Sequence, residues 1–458
     1  MEFINEAKRI LVMKIVIAGA GAVGTHLANL LSREKHDIIL IDQDPAKLEG
    51  PSSNFDLLTI NISATSIAGL RDAGVGSADL VIAVTSDESR NITICMLSHS
   101  LGAKKTVARI DNSEYLNPKY RRYFQQMGID SLIYPEHLAA QEIADSMKMT
   151  WVRQSWEFHG GALELIGVKV RSNAQILNQK LKDLGRDTLP FHVVAIKRND
   201  RTLIPRGNDM MLDGDLVYFM TTKKQLPVIR DLCGKETYDE IKNITIIGGG
   251  RVAVEAAALI PDHMNVKIIE QDEERAKQLT AIVHDRVMVI HGDGRDMQLL
   301  MDEGLLKTQA FVALTGRAET NILACLAAKR MGVRKTVAMV ENLDYVGMAE
   351  SLDIGTVINK KTIAAGHIYQ MMLDADVSNL KCLTVSSADV VEFIVGDNSR
   401  ATAKEIKDLD LPAGATIGGL VRNGEGILAS GTTRIESEDS AVVFCVNTEV
   451  KKLEKYFK

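Results

Sequence analysis

The first third of the chain alternates short apolar runs with amphipathic segments. Apolar residues recur at helical spacing in Val23–Arg33 and in Asn91–Leu101, which predicts a helix in each. Continuous apolar runs predict buried strands at Lys14–Ala18, Asp37–Ile41, Leu57–Ile60, Leu80–Thr85 and Lys105–Ile110. This alternation predicts an α/β fold, a doubly wound parallel sheet with helices on both faces.

A different pattern follows, in which short strands are separated by turn residues. The strands are predicted at Ile166–Val170, His192–Lys197, Leu203–Pro205 and Leu216–Met220, with one helix at about Ile176–Leu184. This composition predicts a small α+β module. An amphipathic helix at Pro135–Met149 is expected to connect the sheet to the module and to act as a hinge.

The whole arrangement occurs twice. Lys14–Gly24 (KIVIAGAGAVG) parallels Asn243–Ala253 (NITIIGGGRVA), and Asn91–Asn112 is identical to Asn321–Asn342 at 9 of 22 positions without a gap. The module also repeats, since turn and strand residues around Lys197–Gly207 recur about 224 residues later. A repeat of about 230 residues therefore predicts two tandem units of the same fold.

The repeat divides the chain into the following predicted segments. They are a leader or extension (1–12), a first nucleotide-binding domain (13–134), a connecting helix (135–154), a first C-terminal module (155–236), a second nucleotide-binding domain (242–362), and a connecting helix with the second C-terminal module (363–458).

Composition and charge narrow the class of protein. The chain has 46% hydrophobic and 25% charged residues, which excludes a disordered protein. No apolar run reaches the roughly 18 residues of a membrane span. The formal net charge of −6 argues against nucleic acid as a partner. The five scattered cysteines predict neither zinc nor a disulfide framework, which favours a reducing cytosol, and no metal site is expected.

A glycine-rich turn between the first strand and first helix is the first candidate for chemistry. It reads Gly19-Ala20-Gly21-Ala22-Val23-Gly24, a GxGxxG motif in the strand–turn–helix context that the motif requires. The first glycine allows the tight turn, the second lets backbone approach a pyrophosphate, and the third lets the helix pack on the sheet. Asp42 ends the next strand, where a carboxylate accepts ribose hydroxyls. The pattern predicts a site for NAD(H) or another adenine nucleotide.

The second unit repeats this turn with changes. Gly248-Gly249-Gly250-Arg251-Val252-Ala253 is GxGxxA, and Glu270 occupies the acid position. This also fits a nucleotide. Arg251 either assists an anion or is simply solvated.

Residues at the ends of later strands are further candidates in the first unit. Thr85 and Ser86 follow the fourth strand, so their hydroxyls either line the ligand crevice or cap the following turn. Arg109 lies on the next strand, where it either contacts a phosphate or Asp42, or reaches solvent from an edge strand. Met339 replaces it in the second unit.

These motifs resemble those of the TrkA family, the peripheral proteins of bacterial Trk potassium uptake systems, whose units are RCK (regulator of K⁺ conductance) domains. The resemblance covers residues 13–458 and rests on IVIAGAGAVG, LIDQD, LRDAGV, VTSDESRN, TVARID and GDLVYF. It implies a non-enzymatic regulatory subunit that forms a ring beneath a membrane pore subunit, on the cytoplasmic side. It also implies that bound NAD(H), ATP or ADP gates the flow of K⁺.

Two departures from the family pattern predict that the sites differ. Many members have Gly-Asp after the third strand; the second unit keeps Gly292-Asp293, whereas the first has Ile62-Ser63. The second unit in turn lacks the arginine, and it has Gly316-Arg317 where the first unit has Ser86-Asp87. Alternatives remain an NAD-dependent dehydrogenase, which the duplication disfavours, and a nucleotide sensor for another transporter. The physiological nucleotide, the direction of gating and the ring stoichiometry are left open by the sequence.

Overall fold

The computed structural model describes residues 13–32, 36–184, 190–199, 201–372, 377–383, 388–446 and 450–458. The expected leader, residues 1–12, lies outside this range. The described chain forms four sheets: two six-stranded parallel sheets, each followed in sequence by a five-stranded antiparallel sheet. The predicted fold class is therefore confirmed.

The first parallel sheet has the Rossmann strand order β3-β2-β1-β4-β5-β6. Its strands are β1 (Lys14–Ala18), β2 (Asp37–Asp42), β3 (Leu58–Asn61), β4 (Leu80–Ala83), β5 (Thr106–Arg109) and β6 (Ser131–Ile133). Its helices are α1 (Ala22–Ser32), α2 (Ala46–Asn54), α3 (Ile67–Asp72), α4 (Glu88–Leu101) and α5 (Arg121–Gln126). β1 and β4 are almost completely buried because helices cover both faces, which explains their continuous apolar runs.

Helix α6 (Pro135–Ser146) leads into the first antiparallel sheet, ordered β10-β9-β11-β8-β7. Its strands are β7 (Gln154–Phe158), β8 (Leu163–Lys169), β9 (Phe191–Arg198), β10 (Arg201–Leu203) and β11 (Leu216–Thr221), and helix α7 (Leu226–Leu232) follows. Strands β8 and β11 are buried on both faces, which explains their nearly continuous apolar runs.

The helix expected at Ile176–Leu184 is wrong. Asn178 has a left-handed backbone (φ 59°), and the segment bonds to a neighbouring loop: Asn178 N–H donates to Met211 O and Leu181 N–H donates to Asp209 O. Only a single 3₁₀ turn forms, at Leu181–Leu184. Long-range backbone hydrogen bonds have replaced the helical ones that the local pattern suggested.

The second parallel sheet repeats the first, with order β14-β13-β12-β15-β16-β17. Its strands are β12 (Asn243–Ile247), β13 (Asn265–Glu270), β14 (Val287–His291), β15 (Ala310–Ala313), β16 (Lys335–Met339) and β17 (Thr356–Ile358). Its helices are α8 (Arg251–Leu259), α9 (Glu273–Ile282), α10 (Met297–Asp302), α11 (Ala318–Arg330) and α12 (Asp344–Ser351).

Helix α13 (Lys360–Met372) precedes the last sheet, ordered β18-β19-β22-β20-β21. Its elements are β18 (Val377–Leu383), β19 (Ala388–Ile394), β20 (Ala415–Arg422), β21 (Glu425–Leu428), β22 (Ser440–Val446) and helix α14 (Val450–Phe457). The two antiparallel sheets share an apolar core that contains Tyr218 of one and Phe444 of the other, with ring centroids 5.6 Å apart.

The duplication extends to ion pairs between a partly exposed arginine and a buried aspartate. In the first module the Arg198 guanidinium donates to both carboxylate oxygens of Asp215 (2.9 and 2.7 Å), and in the second Arg422 donates to both oxygens of Asp439 (2.8 Å each). Each carboxylate also accepts a backbone N–H of the preceding turn. The same side-chain geometry at equivalent positions shows that the two modules are repeats of one fold.

The chain divides into two compact units, which do not coincide with the two sequence repeats. One contains the first Rossmann sheet and the helical segment Lys361–Met372; the other begins at Glu136 and contains most of the remaining chain. In that second unit α6 contacts the second Rossmann domain, since His137 Nδ1 lies 2.9 Å from Glu255 Oε2 on α8. The connecting helix expected to join the two parts of the first repeat thus groups with the first C-terminal module and the second repeat, and not with the first Rossmann sheet.

Candidate functional site

The first glycine loop is shaped by contacts that exclude side chains. Gly19 has φ 111°, and a Cβ there would lie 2.9 Å from the backbone nitrogen of Thr85. A Cβ on Gly24 would lie only 1.9 Å from the Gly19 carbonyl oxygen. These two glycines therefore allow β1, β4 and α1 to meet at one turn.

Gly21 differs, because no atom lies within 4 Å of the position that its Cβ would occupy. Open space beside backbone at the start of α1 is what close approach of a pyrophosphate requires. Ala20, Ala22 and Val23 complete the loop, and Val23 packs into the core. The residues present thus fit a nucleotide phosphate.

The Asp42 carboxylate is held beside this loop by backbone donors. Ala20 N–H donates to Oδ2 (2.7 Å) and Asp44 N–H donates to Oδ1 (2.9 Å). Each carboxylate oxygen has further acceptor capacity, so a fixed, partly exposed Asp42 can accept ribose hydroxyls next to the glycine loop. The structure therefore brings the predicted acid and loop together.

The Thr85 hydroxyl forms hydrogen bonds within the turn that follows β4, which is one of its two expected roles. Its Oγ1 donates to Asn91 Oδ1 (2.7 Å) and accepts the N–H of Asp87 (3.3 Å), while Ser86 is exposed beside it. Asn91, which the sequence analysis did not single out, is completely buried and also donates to the Arg109 carbonyl oxygen (2.9 Å). Asn91 thus ties the ends of β4 and β5 together. Asn91 recurs as Asn321 in the best-matching tract of the two repeats, and this recurrence could have identified it from the sequence.

Arg109 does not pair with Asp42, and β5 is not an edge strand because it lies between β4 and β6. The Arg109 Nη2 lies 3.6 Å from Asp111 Oδ1, and its Nε is buried without a hydrogen-bond partner. A buried donor without a partner costs free energy, so this guanidinium is available to a ligand at the carboxyl ends of the strands.

The second glycine loop repeats the geometry of the first. Gly249 N–H donates to Glu270 Oε2 (2.5 Å) and Asp272 N–H donates to Oε1 (2.9 Å). Gly248 has φ 90° and lies against the end of β15, whereas no atom lies within 4 Å of a Cβ on Gly250. Arg251 and Val252 begin α8, with Val252 buried and Arg251 exposed.

A cavity of about 610 Å³ opens over this second loop. Its volume lies in the range of small-molecule sites. The lining residues that were expected from the sequence are Gly248, Gly249, Gly250, Glu270 and Asp293.

Several lining residues were not expected, and three of them are arginines. Arg275 Nε donates to Gly249 O (2.9 Å), and Arg295 donates to both oxygens of Asp293 (Nε to Oδ1, 3.0 Å; Nη2 to Oδ2, 2.7 Å), which lowers the pKa of that carboxyl. Arg317 is exposed at the end of β15. Their positions in the repeat carry Lys47, Thr65 and Asp87. Comparison of the two units had identified the change from Asp87 to Arg317, and the same comparison was the available signal for Arg275 and Arg295.

Family models match both halves of the chain. The TrkA-N domain matches residues 15–135 and 244–360, and the TrkA-C domain matches residues 165–234 and 390–458. The matches alternate along the chain in the same order as the parallel and antiparallel sheets.

Relatives of similar length are potassium uptake proteins. The chain is 32% identical over 450 residues to the Trk system potassium uptake protein TrkA homolog of Archaeoglobus fulgidus, covering 97% of this chain and 100% of the relative. It is 31% identical to the Trk system potassium uptake protein TrkA of Halomonas elongata over 452 residues, covering 97% and 98%.

Solved structures support the same fold. The GsuK RCK domain aligns with a TM-score of 0.60 at 16% identity, covering 98% of this chain and 96% of that one. The GsuK channel bound to NAD aligns with a TM-score of 0.59 at 16% identity, covering 98% and 80%. From the tandem domains and the full-length relatives, we conclude that the chain belongs to the TrkA family of Trk potassium uptake proteins.

Proposed function

We propose that this protein is a nucleotide-sensing regulatory subunit of a Trk-type potassium uptake system. Its full-length relatives are named for potassium uptake. The observation that carries the sensing role is the cavity of about 610 Å³, which combines a glycine loop, a fixed acid and arginines at the strand ends of the second Rossmann sheet. A regulatory role requires binding and release at this site, and no catalytic turnover.

The ligand that this chemistry favours is an adenine nucleotide, either NAD(H) or ATP/ADP. A bound nucleotide supplies a ribose and phosphates. Asp42 and Glu270 would accept the ribose hydroxyls, and the N–H groups at the starts of α1 and α8 would face the phosphates. The fold neighbour GsuK has been solved with NAD, which supports this class of ligand.

Binding would act by shifting the balance between two shapes of the protein. A ligand changes that balance only through different affinity for the two shapes, and about 1–3 kcal/mol per site is typical of allosteric coupling. Asn91 and Asn321 join the ends of two neighbouring strands in each sheet, so contacts at those ends can move the following helices, α4 and α11.

The partner would be a membrane-embedded potassium pore subunit, with several copies of this chain arranged as a ring on its cytoplasmic face. Among the described residues, no helix has both the length and the apolar character needed to cross a membrane. A regulatory subunit with such a partner is a peripheral membrane protein.

Calorimetric titration with NADH, and separately with ATP, tests the sensing role. We expect saturable binding that weakens in Asp42→Ala at the first site and in Glu270→Ala at the second. Glu49→Ala and Asp285→Ala are matched controls, because each removes an exposed carboxylate from the same domain. Absence of binding by either nucleotide to the wild type, or equal losses in the controls, would refute nucleotide sensing.

Flux measurements test the link to potassium. The protein would be reconstituted with its co-purified pore subunit in vesicles, and K⁺ uptake would be followed as nucleotide is added. We expect the nucleotide response to be reduced in the Asp42→Ala and Glu270→Ala variants. A flux that is insensitive to nucleotide in the wild type would contradict the regulatory role.

A further inference from the structure

The two nucleotide sites differ in charge at one equivalent position. Asp87 precedes α4 in the first unit, and Arg317 precedes α11 in the second. Their backbones are almost the same, with φ/ψ of −116°/113° at Asp87 and −122°/112° at Arg317. The preceding turns also match, because Thr315 Oγ1 donates to Asn321 Oδ1 at 2.6 Å, as Thr85 does to Asn91. The charge reversal is therefore not a response to a different backbone.

Asp87 has a local structural role that Arg317 cannot perform. Asp87 Oδ1 accepts the N–H of Arg90 (2.9 Å) and so caps α4. An arginine has no acceptor for this bond, and its positive charge is unfavourable at a helix N-terminus. Arg317 makes no side-chain cap, so this position of α11 loses helix stability relative to α4.

The Arg317 side chain is instead available to the cavity. It is exposed, lines the cavity, and its guanidinium makes no hydrogen bond or ion pair with the part of the chain that the structure describes. The other two arginines of the cavity are already engaged, Arg295 with Asp293 and Arg275 with the Gly249 carbonyl oxygen.

The turn that carries Arg317 begins directly against the phosphate loop. A Cβ on Gly248 would lie 2.9 Å from the Leu314 carbonyl carbon and from the Thr315 nitrogen. Arg317 follows Thr315 by two residues, so its side chain starts beside the loop that would hold the first two phosphates and can extend to the next one. In the first unit the same place carries the Asp87 carboxylate.

We propose that Arg317 makes the second site selective for nucleotides with a third phosphate, and that Asp87 disfavours such ligands at the first site. This inference rests on the proposed function. The second site would prefer a nucleoside triphosphate over the diphosphate, because the guanidinium meets the additional charge. The first site would prefer a ligand without a terminal phosphate, such as a dinucleotide. Arg109 of the first site is also available to a ligand, but the Asp111 carboxylate 3.6 Å away offsets part of its positive charge.

The test compares ATP with ADP by metal-free calorimetry on the full chain, with Asp42→Ala or Glu270→Ala used to isolate each site. Arg317→Gln is expected to weaken ATP at the second site by about tenfold and ADP by less than about twofold, the size of one charge-assisted contact. Asp87→Asn keeps the capping acceptor, and is expected to strengthen ATP at the first site by about threefold or more, with little change for ADP. Arg330→Gln, an exposed arginine at the other end of α11, is the matched control.

Two results would overturn the inference. The first is an ATP-to-ADP affinity ratio that is the same at both sites or is unchanged by Arg317→Gln. The second is an equal loss for both nucleotides, which would mark Arg317 as a general binding residue. Either result leaves nucleotide sensing intact, because the wild type still binds. Failure of the wild type to bind ATP, ADP and NADH would refute the proposed function itself.

Discussion

Glycines of the first loop have two separable roles. Gly24 is needed for the close packing of α1 on the turn, since a Cβ there would lie 1.9 Å from the Gly19 carbonyl oxygen. Gly21 borders open space at the start of α1 and has no such restriction. The GxGxxG pattern thus combines one residue needed for packing with another that borders the proposed phosphate position.

The substitutions Gly24→Ala and Gly21→Ala should separate these roles. We expect Gly24→Ala to lower the free energy of unfolding of the first Rossmann domain by about 3 kcal/mol, the upper end of the typical cost of overpacking. We expect Gly21→Ala to leave the thermal unfolding midpoint almost unchanged but to weaken nucleotide binding, because the new methyl group occupies the phosphate approach. Thermal unfolding of both variants measures the change in stability, and nucleotide titration of both measures the change in binding. A Gly21→Ala variant that binds normally would remove Gly21 from the site.

The residues missed by sequence reasoning have a common property. The glycines and Asp42 were found because their motif is local and follows a strand directly. Asn91 has no local motif; its importance comes from bonding to Thr85 and to the Arg109 carbonyl oxygen, 18 residues away. Two expectations for Arg109, pairing with Asp42 and a place on an edge strand, were wrong, because the position of β5 within the sheet depends on strand order, which is a tertiary property. Contact of Arg109 with a phosphate stays a prediction.

At the scale of elements, Asp353 joins the first C-terminal module to the second Rossmann domain. Its carboxylate is bonded by Arg153 (2.6 Å) and Arg171 of the module, and by Lys329 (2.6 Å) at the end of α11. Burial raises the pKa of Asp353, but Arg153, Lys329 and Arg171 together hold it below its ordinary value. Thr320 at the other end of α11 lines the cavity over the second glycine loop, so this helix of 13 residues, about 20 Å long, connects the cavity to the joint.

Asp353→Asn should weaken this joint without disturbing the backbone. Asparagine tolerates the left-handed conformation of this residue (φ 54°), so the change isolates the charge. We expect the free energy of unfolding to fall by about 2–3 kcal/mol, less than a fully buried pair because Asp353 is partly exposed. Chemical denaturation measures the free energy of unfolding of this variant and of the control Asp285→Asn, which changes an exposed aspartate of the same domain. Equal stability of the two variants would contradict a role for Asp353 in holding the elements together.

At the scale of the whole molecule, the balance of buried charge makes stability depend on pH. Lys335 on β16 is buried, and its Nζ donates to the Val152 carbonyl oxygen (2.6 Å). Burial, assisted by nearby Arg153, lowers the pKa of Lys335 to about 7. The folded protein therefore prefers the neutral amine, whereas the unfolded chain keeps the ordinary lysine pKa near 10.4.

The sign of the pH effect follows from these two pKa values. Between about pH 7 and pH 10 the unfolded chain binds more protons at Lys335, so the free energy of unfolding rises with pH by up to about 1.4 kcal/mol per unit. Below pH 7 both states are protonated and the dependence disappears. Lys335→Met should remove this rise, while Lys307→Met, at an exposed lysine of the same domain, should keep it. Denaturation curves at pH 7, 8 and 9 measure the slopes, and equal slopes in both variants would refute the assignment.

The sequence by itself determined the duplication, the two kinds of sheet and the two glycine loops with their acids. These features depend on periodic burial and on short motifs, so neighbouring residues are enough to specify them. The helix expected at Ile176–Leu184 failed because its backbone groups bond to a loop about 30 residues away.

Only the tertiary structure decided which parts of the chain work together. Helix α6 groups with the first C-terminal module and the second Rossmann domain rather than with the first Rossmann sheet, and Asp353 meets arginines 182 and 200 residues away. Such contacts depend on the packing of whole elements, which leaves no local pattern because either partner alone is an ordinary charged residue. The physical reason is the separation of the interacting residues along the sequence. Interactions between residues close in sequence specify the strands and loops, whereas contacts between domains form only when residues far apart in sequence are buried against each other.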